Sequence, residues 1–461
     1  MELWRVFKDA IAGMANGGGI FGGVLGLIIS EWQGRRKGIF FADSLFLTGY
    51  AVMAIPHLLA IFVARFIVGT ALGVAAVVCP LYIYDFVPSS TRGRFMSVMG
   101  VCMTLGQTFA YLVTQGLFKA PGWRWMLMVA SIPAAVQALF MWRLRETPRW
   151  LLLTGKHHEA LESMLLYYPE SRALQDFEEM QSLIGQAVSS FPHNTTIRIL
   201  TNLYRPFTNL AFKKSLLSSI LINCTHIVGV GTAAYSGKVD RGSMDSPLVG
   251  SFLNVLASFA TMFSVDYLSR KKVLNVSLIL VSVIFLSLSL VSFNAISPAA
   301  VRDNLVFSNQ TCNIPEDKWN CVTCLKADCA FCASLDLMKP GNCLKYENAS
   351  GLLCLQQGRK LMFKTCPTTW SKLTSVLIEV YGIVHSLGLS SIPVIMSLEL
   401  FATQDMNLGS GIGSTAGWFV SLIGSLVFQP LTENLGGLYL ANALCSSIVL
   451  AAVWYVVPET N

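Results

Sequence analysis

Apolar segments of about 20 residues recur along almost the whole of this chain, which has 461 residues. A segment of that length can cross the core of a bilayer, and in lipid it must be helical because every backbone donor and acceptor needs an internal partner. The chain is 53% hydrophobic and only 13% charged, which excludes an ordinary soluble domain. We predict an all-α membrane protein with eleven spanning helices, at about residues 11–30, 39–57, 60–84, 96–117, 124–144, 214–236, 248–266, 273–295, 374–396, 410–430 and 437–457.

A polar segment, residues 296–373, separates two groups of these apolar runs and contains eight of the twelve cysteines. Such a density of cysteine indicates disulfides in an oxidising compartment, so we place the segment outside the cytosol. Three short, net-positive turns then face the cytosol, as the positive-inside rule expects: residues 34–37, 91–94 and 269–272. The two arguments agree on one topology, in which the chain starts outside and ends inside.

The cysteines of the polar segment are predicted to form disulfides: Cys312, Cys321, Cys324, Cys329, Cys332, Cys343, Cys354 and Cys366. The run from Cys321 to Cys332 has C-x2-C-x4-C-x2-C spacing, which also suggests zinc. The central gap is short for a tetrahedral site, however, and an even number of extracytosolic cysteines favours disulfides. We therefore predict no metal, leave the connectivity open, and favour a stapled cap over a receptor-like role. Glycosylation sequons begin at Asn309 and Asn348.

The chain is divided into five parts by these features. We predict an N-terminal bundle of five helices (1–144), a cytosolic central loop (145–213), three helices (214–295), the extracytosolic cysteine-rich segment (296–373) and three more helices (374–461). Basic turns and Pro/Glu/Thr helix ends recur in both halves. Such repetition is typical of transporters whose substrate binds between two bundles.

Several short motifs carry a family resemblance: Gly34-Arg35-Arg36, Arg65-Phe-Ile-Val-Gly69, Pro80-Leu-Tyr-Ile, Arg92-Gly93, Gly106-Gln107, Gly122-Trp-Arg-Trp-Met126, Glu146-Thr-Pro-Arg-Trp150 and Pro458-Glu-Thr460. Together they resemble the sugar-porter branch of the major facilitator superfamily, and the cysteine-rich segment looks like that of plant inositol transporters. The resemblance implies a major facilitator fold of two helical bundles. Matching the halves gives five plus six helices here instead of six plus six, without a counterpart of the family's first helix.

Substrate-contacting positions follow from the same resemblance. Gln107 matches a polyol-contacting glutamine, and an amide can both donate and accept hydrogen bonds to hydroxyls. Thr225 and His226 align with the family's paired glutamines, and Trp418 is retained. We predict that these four residues line the path. An interhelical hydrogen bond is the alternative for Gln107; His226 could be a structural hydrogen-bonder or a titratable coupling group.

Arg65 lies several residues inside an apolar run, where a charge costs about 2.5–3.5 kcal/mol and calls for a partner or a wet cavity. The resemblance implies that Arg65 takes part in proton coupling, beside an aspartate on the family's first helix. We find no counterpart of that helix in this sequence. The alternative is that Arg65 only snorkels or bonds backbone carbonyls.

A network of charges is implied by the resemblance to latch the cytosolic ends and to release as the halves rock: Arg35, Arg36, Asp85, Arg92, Glu146, Arg149, Asp266, Arg270 and Glu399. The arginine-glycine turn that should follow Glu399 reads Met406-Asn407, which predicts a weaker latch in the second half.

The function implied by the resemblance is proton-coupled uptake of myo-inositol or a related polyol or sugar by alternating access. We expect protons and lipid as further partners, no nucleic acid, no cofactor and a monomer, in the plasma membrane rather than the vacuolar membrane. The sequence has no nucleotide loop, hydrolytic triad or metal cluster, so an enzyme is not indicated. The alternative is a transport-inactive or truncated paralogue that acts as a membrane scaffold or regulator, or has no function.

Overall fold

The computed structural model describes residues 2–88, 91–117, 123–188, 209–226, 245–294, 321–327, 329–333, 341–344, 354, 359–362, 370–402, 405–431 and 434–459.

The first half of the chain consists of six helices: α1 (Glu2–Trp32), α2 (Arg35–Met53), α3 (Leu58–Phe86), α4 (Arg92–Leu117), α5 (Trp123–Val129) and α6 (Ile132–Arg143). The helix predicted at 124–144 is therefore two helices. Pro133 explains the break, because a proline lacks the N–H of the helical ladder and its ring clashes with the carbonyl of residue 129. The polar stretch that follows forms three short helices, α7 (Pro148–Leu153), α8 (His157–Leu165) and α9 (Glu170–Val188).

The second half contains α10 (Leu210–Asn223), the 3₁₀ turn Cys224–His226, α11 (Asp245–Ser264), α12 (Arg270–Phe293), α14 (Ser371–Val384), a π-helical turn (His385–Leu389), α15 (Ile392–Glu399), α16 (Met406–Leu431) and α17 (Leu435–Val456). Helix α13 (Cys321–Lys326) lies in the cysteine-rich segment. The helix predicted at 374–396 is thus interrupted by a π-helical turn, a feature that occurs often at functional sites.

Eight helical segments in the described ranges are long and apolar enough to cross a membrane: Gly13–Trp32, Leu58–Phe86, Arg92–Thr114, Trp125–Arg143, Arg270–Phe293, Leu373–Glu399, Met406–Val427 and Leu435–Val456. Three of the eleven predicted spans do not meet that criterion. Helix α2 carries four charged residues, α10 is described only to Asn223, and the apolar part of α11 is Leu248–Ser264. All three are nevertheless helical where they are described.

The two halves meet along two helix pairs, α1 against α16 and α4 against α11. Within the first half, α1 packs closely on α3. A Cβ built at Gly22 would overlap the carbonyl of Thr70, and one built at Gly73 would overlap the carbonyl of Gly19. Small residues at these positions allow the two backbones to approach closely, which is a common way for helices to pack in lipid.

The described part of the cysteine-rich segment contains a small antiparallel sheet of β1 (Ala330–Ala333), β2 (Asn342–Leu344) and β3 (Lys360–Met362), in the order β2-β1-β3. Phe331 of the central strand is fully buried and pairs with Cys343 on one side and Met362 on the other. The sheet is too small to be stable alone, so cross-links are expected to hold it.

Two disulfides join this sheet to its surroundings, Cys324–Cys343 and Cys332–Cys354. Cys321 and Cys329 are also disulfide-bonded. The prediction of disulfides is confirmed for these six residues, and the zinc alternative is excluded because all four cysteines of the C-x2-C-x4-C-x2-C run are oxidised. The predictions for Cys312, Cys366, Asn309 and Asn348 lie outside the described residues.

Candidate functional site

A cavity of about 650 Å³ lies between the two halves. Helices α3 and α4 line one side of this central cavity, and α10, α11, α14, the π-helical turn, α15 and α16 line the other. The polar side chains that line it, besides several serines, include Gln107, Thr104, Tyr111, Asn223, Asn254, Glu379, Tyr381, His385 and Trp418. A cavity of this size with a few convergent polar groups is typical of a small-molecule site.

Gln107 and Trp418 both line the central cavity, as the sequence predicted, one from each half. The Gln107 side chain is exposed, so its amide is accessible to a ligand. The neighbouring hydroxyls of α4 are already used, since Thr104 donates to Val101 O at 3.0 Å and Thr108 donates to Thr104 O at 2.9 Å. Between Thr104 and Thr108 on α4, Gln107 is therefore the polar side chain that is available to a ligand.

Thr225 and His226 lie in the 3₁₀ turn that follows α10. Thr225 is buried, its hydroxyl donates to Ile222 O at 2.7 Å, and it is not one of the described residues that line the central cavity. The side chain of His226 lies outside the described part of the structure. Asn223, two positions before Thr225, does line the cavity, and its amide nitrogen donates to Ser219 O at 2.8 Å. Thr225 therefore does not line the described cavity, whereas Asn223 at the end of α10 does, and the prediction for His226 stays a prediction.

Three further residues of the second half line the cavity and were not predicted: Asn254 of α11, Glu379 of α14 and His385 of the π-helical turn. The Oδ1 atom of Asn254 is buried without a hydrogen-bond partner. Ionisable residues inside an apolar span are rare and usually functional, so Glu379 and His385 could have been found from the sequence. The predicted span 374–396 contains both of them.

Arg65 does not join this group of residues. Its side chain is exposed on α3, and it is not one of the described residues that line the cavity. It lies within electrostatic range of the Tyr50 phenol on α2. No ion pair found within the described ranges includes Arg65.

The three basic turns (34–37, 91–94 and 269–272) lie at one end of the bundle, here called the basic end, and Asp85 is the central acceptor there. Its carboxylate binds Arg35 (Oδ2 to Nε, 3.2 Å) and Arg149 (Oδ1 to Nη1, 3.1 Å). The Asp85 side chain is fully inaccessible to solvent. A carboxylate buried to this extent needs such partners, because desolvation of an unpaired charge costs several kcal/mol.

Glu146 is the second acceptor at the basic end. It accepts hydrogen bonds from the backbone N–H groups of Arg35 at 2.9 Å, Arg36 at 3.1 Å and Thr147 at 3.0 Å. The turn requires glycine at position 34 for two reasons. Gly34 adopts φ 95°, which favours glycine, and a Cβ there would overlap the Glu146 carboxylate. Burial raises the pKa of Glu146, and the backbone hydrogen bonds from Arg36 and Thr147 oppose that rise.

Arg36 joins the same turn to the end of α6. Its Nε donates to Met141 O at 3.0 Å and its Nη2 donates to Trp142 O at 2.7 Å. These carbonyls belong to the last turn of α6, where no intrahelical donor remains for them.

Asp266 connects the two halves at the basic end. It accepts from the backbone N–H of Arg94 at 3.2 Å and lies 3.9 Å from Arg94 Nε. Arg270 pairs with Glu399 inside the second half. Arg92 lies with its guanidinium 3.9 Å from the centre of the Tyr84 ring, a cation–π arrangement. The nine predicted network residues are therefore all at the basic end, although they form several separate contacts.

Asn407 is a neutral residue at the basic end that makes two hydrogen bonds to the first half. Its Nδ2 donates to Glu31 Oε1 at 2.7 Å, and its Oδ1 accepts from Ser30 Oγ at 3.1 Å. Both partners are in the first half, so Asn407 holds α16 against α1. The position predicted to weaken the latch therefore makes two contacts between the halves.

The sequence profile of the sugar (and other) transporter family matches residues 6–304 and 350–461 of this chain. Inositol transporter 4 of Arabidopsis thaliana is 31% identical over 495 residues, which cover 98% of this chain and 83% of that protein. The proton myo-inositol cotransporter of Homo sapiens is 24% identical over 499 residues, which cover 100% of this chain and 74% of that protein.

Solved structures of a bacterial sugar transporter have the same fold. The proton:xylose symporter XylE, a major facilitator superfamily protein, aligns with a TM-score of 0.69 at 18% identity, over 98% of this chain and 86% of that one. A partially occluded inward-open structure of XylE from E. coli gives 0.68 at 17% identity, over 99% and 88%. The predicted major facilitator fold and the family resemblance are confirmed. This multi-pass membrane chain belongs to the sugar transporter family of the major facilitator superfamily, a family of transporters and not of enzymes.

Proposed function

We propose that this protein is a secondary transporter that moves myo-inositol or a related polyol or sugar by alternating access, coupled to protons. The observation that carries the proposal is the central cavity of about 650 Å³ between the two halves. Amide and indole groups from Gln107, Asn223, Asn254 and Trp418 converge on it. Amides suit a substrate made of hydroxyl groups, because each amide both donates and accepts. The two relatives above are an inositol transporter and a proton myo-inositol cotransporter, which supports the same substrate class.

Alternating access requires contacts that hold one end of the cavity closed and can break. The basic end has such contacts between the halves, from Asp266 to Arg94 and from Asn407 to Ser30 and Glu31. Arg149 also reaches across, with Nη1 3.9 Å from Met406 Sδ. All are polar contacts rather than apolar packing, so water can replace them when the halves rock apart. We propose that the nine-residue network is part of this latch, in which its members Asp266 and Arg149 make contacts between the halves.

The cellular setting is part of the proposal. We place the basic end in the cytosol and the cysteine-rich segment outside it, in the plasma membrane rather than the vacuolar membrane, with the protein as a monomer. The positive-inside rule and the disulfides both support that orientation.

Transport by the purified full chain in proteoliposomes tests the function directly. Vesicles loaded with unlabelled myo-inositol should take up tritiated myo-inositol in exchange, and an acidic exterior should drive its net accumulation. Xylose and mannitol, added as competitors, should define the preferred substrate. Vesicles without protein are the control. Correctly folded protein that gives no exchange with any of these compounds would contradict the proposal and support the transport-inactive scaffold.

A further inference from the structure

We propose that Glu379 is the proton-carrying carboxylate of this transporter and that Asn254 is the buried acceptor beside it. This inference rests on the proposed function, which it deepens by assigning the coupled proton to the second half of the protein. Arg65, the residue that the sequence singled out for coupling, is not one of the described residues that line the central cavity. Glu379 is the one carboxylate among the described residues that line that cavity.

Glu379 is placed by the contact between α14 and α11. A Cβ built at Gly250 would lie 3.3 Å from Glu379 Cγ, so the glutamate side chain lies directly against α11. A Cβ built at Gly382 would lie 2.9 Å from Asn254 Oδ1. Gly250 and Asn254 are four residues apart on α11, about one turn or 5.4 Å. Glu379 and Asn254 are therefore neighbours along one helix contact, and both line the cavity.

Glu379 combines a position inside a membrane span with access to the central cavity. Glu379 lies six residues inside the apolar span Leu373–Glu399, and its side chain is partly buried. A charge within a span is costly without a partner, and no ion pair in the described ranges includes Glu379. Carboxylates inside membrane spans are typical of proton relays in transporters.

Few other titratable groups among the described residues face Glu379. Helix α11 presents Gly250 and Asn254, which do not titrate. Helix α12, which also packs on α14, has its charged residues only at the basic end, Arg270–Lys272. The remaining titratable side chains that line the cavity are Tyr111 of α4, Tyr381 and His385. His385 lies over the Tyr381 ring, with the centroids 5.8 Å apart.

The unpartnered Asn254 Oδ1 supplies the link to the substrate. A buried acceptor without a donor costs about 1–3 kcal/mol. The carboxylate of Glu379 has no hydrogen to offer, whereas the protonated form has one O–H and can donate to Asn254 Oδ1 or to a substrate oxygen. The proton is taken from water on the open side and returned to water on the other side, so each cycle moves one proton and leaves Glu379 unchanged.

The test separates coupling from transport in proteoliposomes that contain the full chain. Glu379→Gln keeps the size and hydrogen-bonding shape of the side chain but cannot exchange a proton. We expect it to retain exchange of tritiated myo-inositol at equal pH and to lose accumulation driven by an acidic exterior, reaching equal concentrations inside and outside. Glu379→Asp should keep part of the accumulation. Glu159→Gln, an exposed carboxylate of α8 paired with Lys156, is the control and should behave as the unmodified protein.

Four results would overturn the inference, and they are distinguishable. Accumulation by Glu379→Gln at the level of the unmodified protein would show that the proton binds elsewhere. Loss of both exchange and accumulation in that variant would make Glu379 a substrate-binding or structural residue instead. Exchange without accumulation in the unmodified protein would refute proton coupling. Absence of exchange in the unmodified protein would refute the proposed function itself, and the proton role with it.

Discussion

Asp85 and Arg149 form a salt bridge of 3.1 Å at the basic end, between a carboxylate that solvent does not reach and a guanidinium that is 12% exposed. The same carboxylate binds Arg35. One acidic residue at the end of α3 thus joins the start of α2 to α7 within the first half of the chain.

Asp85→Asn should destabilise the protein strongly. The substitution leaves the buried Arg35 and the mostly buried Arg149 without their counter-charge. Breaking a buried pair in this way costs about 3–5 kcal/mol. The measurement is the unfolding free energy in mixed micelles. Glu162→Gln is the matched control, since Glu162 pairs with Arg145 at 2.9 Å but both side chains are about half exposed, so the loss should stay below about 1 kcal/mol. Equal losses in the two variants would contradict a central role for Asp85.

Gln107→Ala should weaken substrate binding without unfolding the protein. A typical hydrogen bond contributes about 0.5–1.5 kcal/mol, which corresponds to a rise of roughly 2- to 12-fold in the KM for myo-inositol exchange. Gln137→Ala is the control, because Gln137 is exposed on α6 and does not line the cavity. An unchanged KM in Gln107→Ala would favour the interhelical hydrogen bond as the role of this residue.

Glu146 should make the protein less stable as the pH rises. Burial raises the pKa of Glu146 above its ordinary value of 4.5, so the folded state binds more protons than the unfolded state. Its contribution is then fully present below pH 4.5 and is lost as the pH rises from there through the folded pKa. Melting temperatures measured against pH should fall more steeply in this window for the unmodified protein than for Glu146→Gln. Parallel curves would show that the two states bind protons equally at this residue.

The disulfide Cys332–Cys354 should stabilise the cysteine-rich segment and leave the transport site unaffected. The two cysteines are separated by 22 positions in the sequence. A disulfide that closes a loop of this size stabilises the folded state by about 3 kcal/mol, because it lowers the entropy of the unfolded chain. The double variant Cys332→Ser/Cys354→Ser should therefore be cleaved faster by protease within residues 296–373, with an unchanged KM. Cys445→Ser is the control, since Cys445 is a free cysteine of α17. A raised KM would mean that the segment reaches the substrate path.

The helices and the broad class could be predicted from the sequence because both depend on local properties. An apolar run must be helical in lipid whatever its neighbours are. Within the described residues, the structure differs from the prediction at Pro133, which divides one helix, and at the π-helical turn His385–Leu389, which interrupts another. The network at the basic end was also predictable as a set, because its members lie in recognisable motifs. Which arginine meets Asp85 could not be predicted, since that depends on how α2, α3 and α7 are packed.

The cavity was only partly predictable for a related reason. Gln107 and Trp418 were found by motif, but the same alignment selected Thr225 where Asn223 lines the cavity. In a tight helical turn, a shift of two residues moves a side chain to another face, and no local pattern shows which face meets the cavity. Glu379 could be recognised in the sequence as a charge in an apolar span. Its surroundings, however, are set by the neighbouring helix α11, which the sequence pattern does not show.

The sequence alone determined that this chain crosses a membrane several times and that residues 296–373 contain disulfides. Both conclusions depend on local properties, hydropathy and cysteine density, which do not require knowledge of the tertiary packing. Only the tertiary structure decided that Cys324 pairs with Cys343 and that Glu379 and Asn254 lie on the same contact between α11 and α14. Such pairs join residues that are far apart in the chain, and their distance is set by the packing of whole helices and strands.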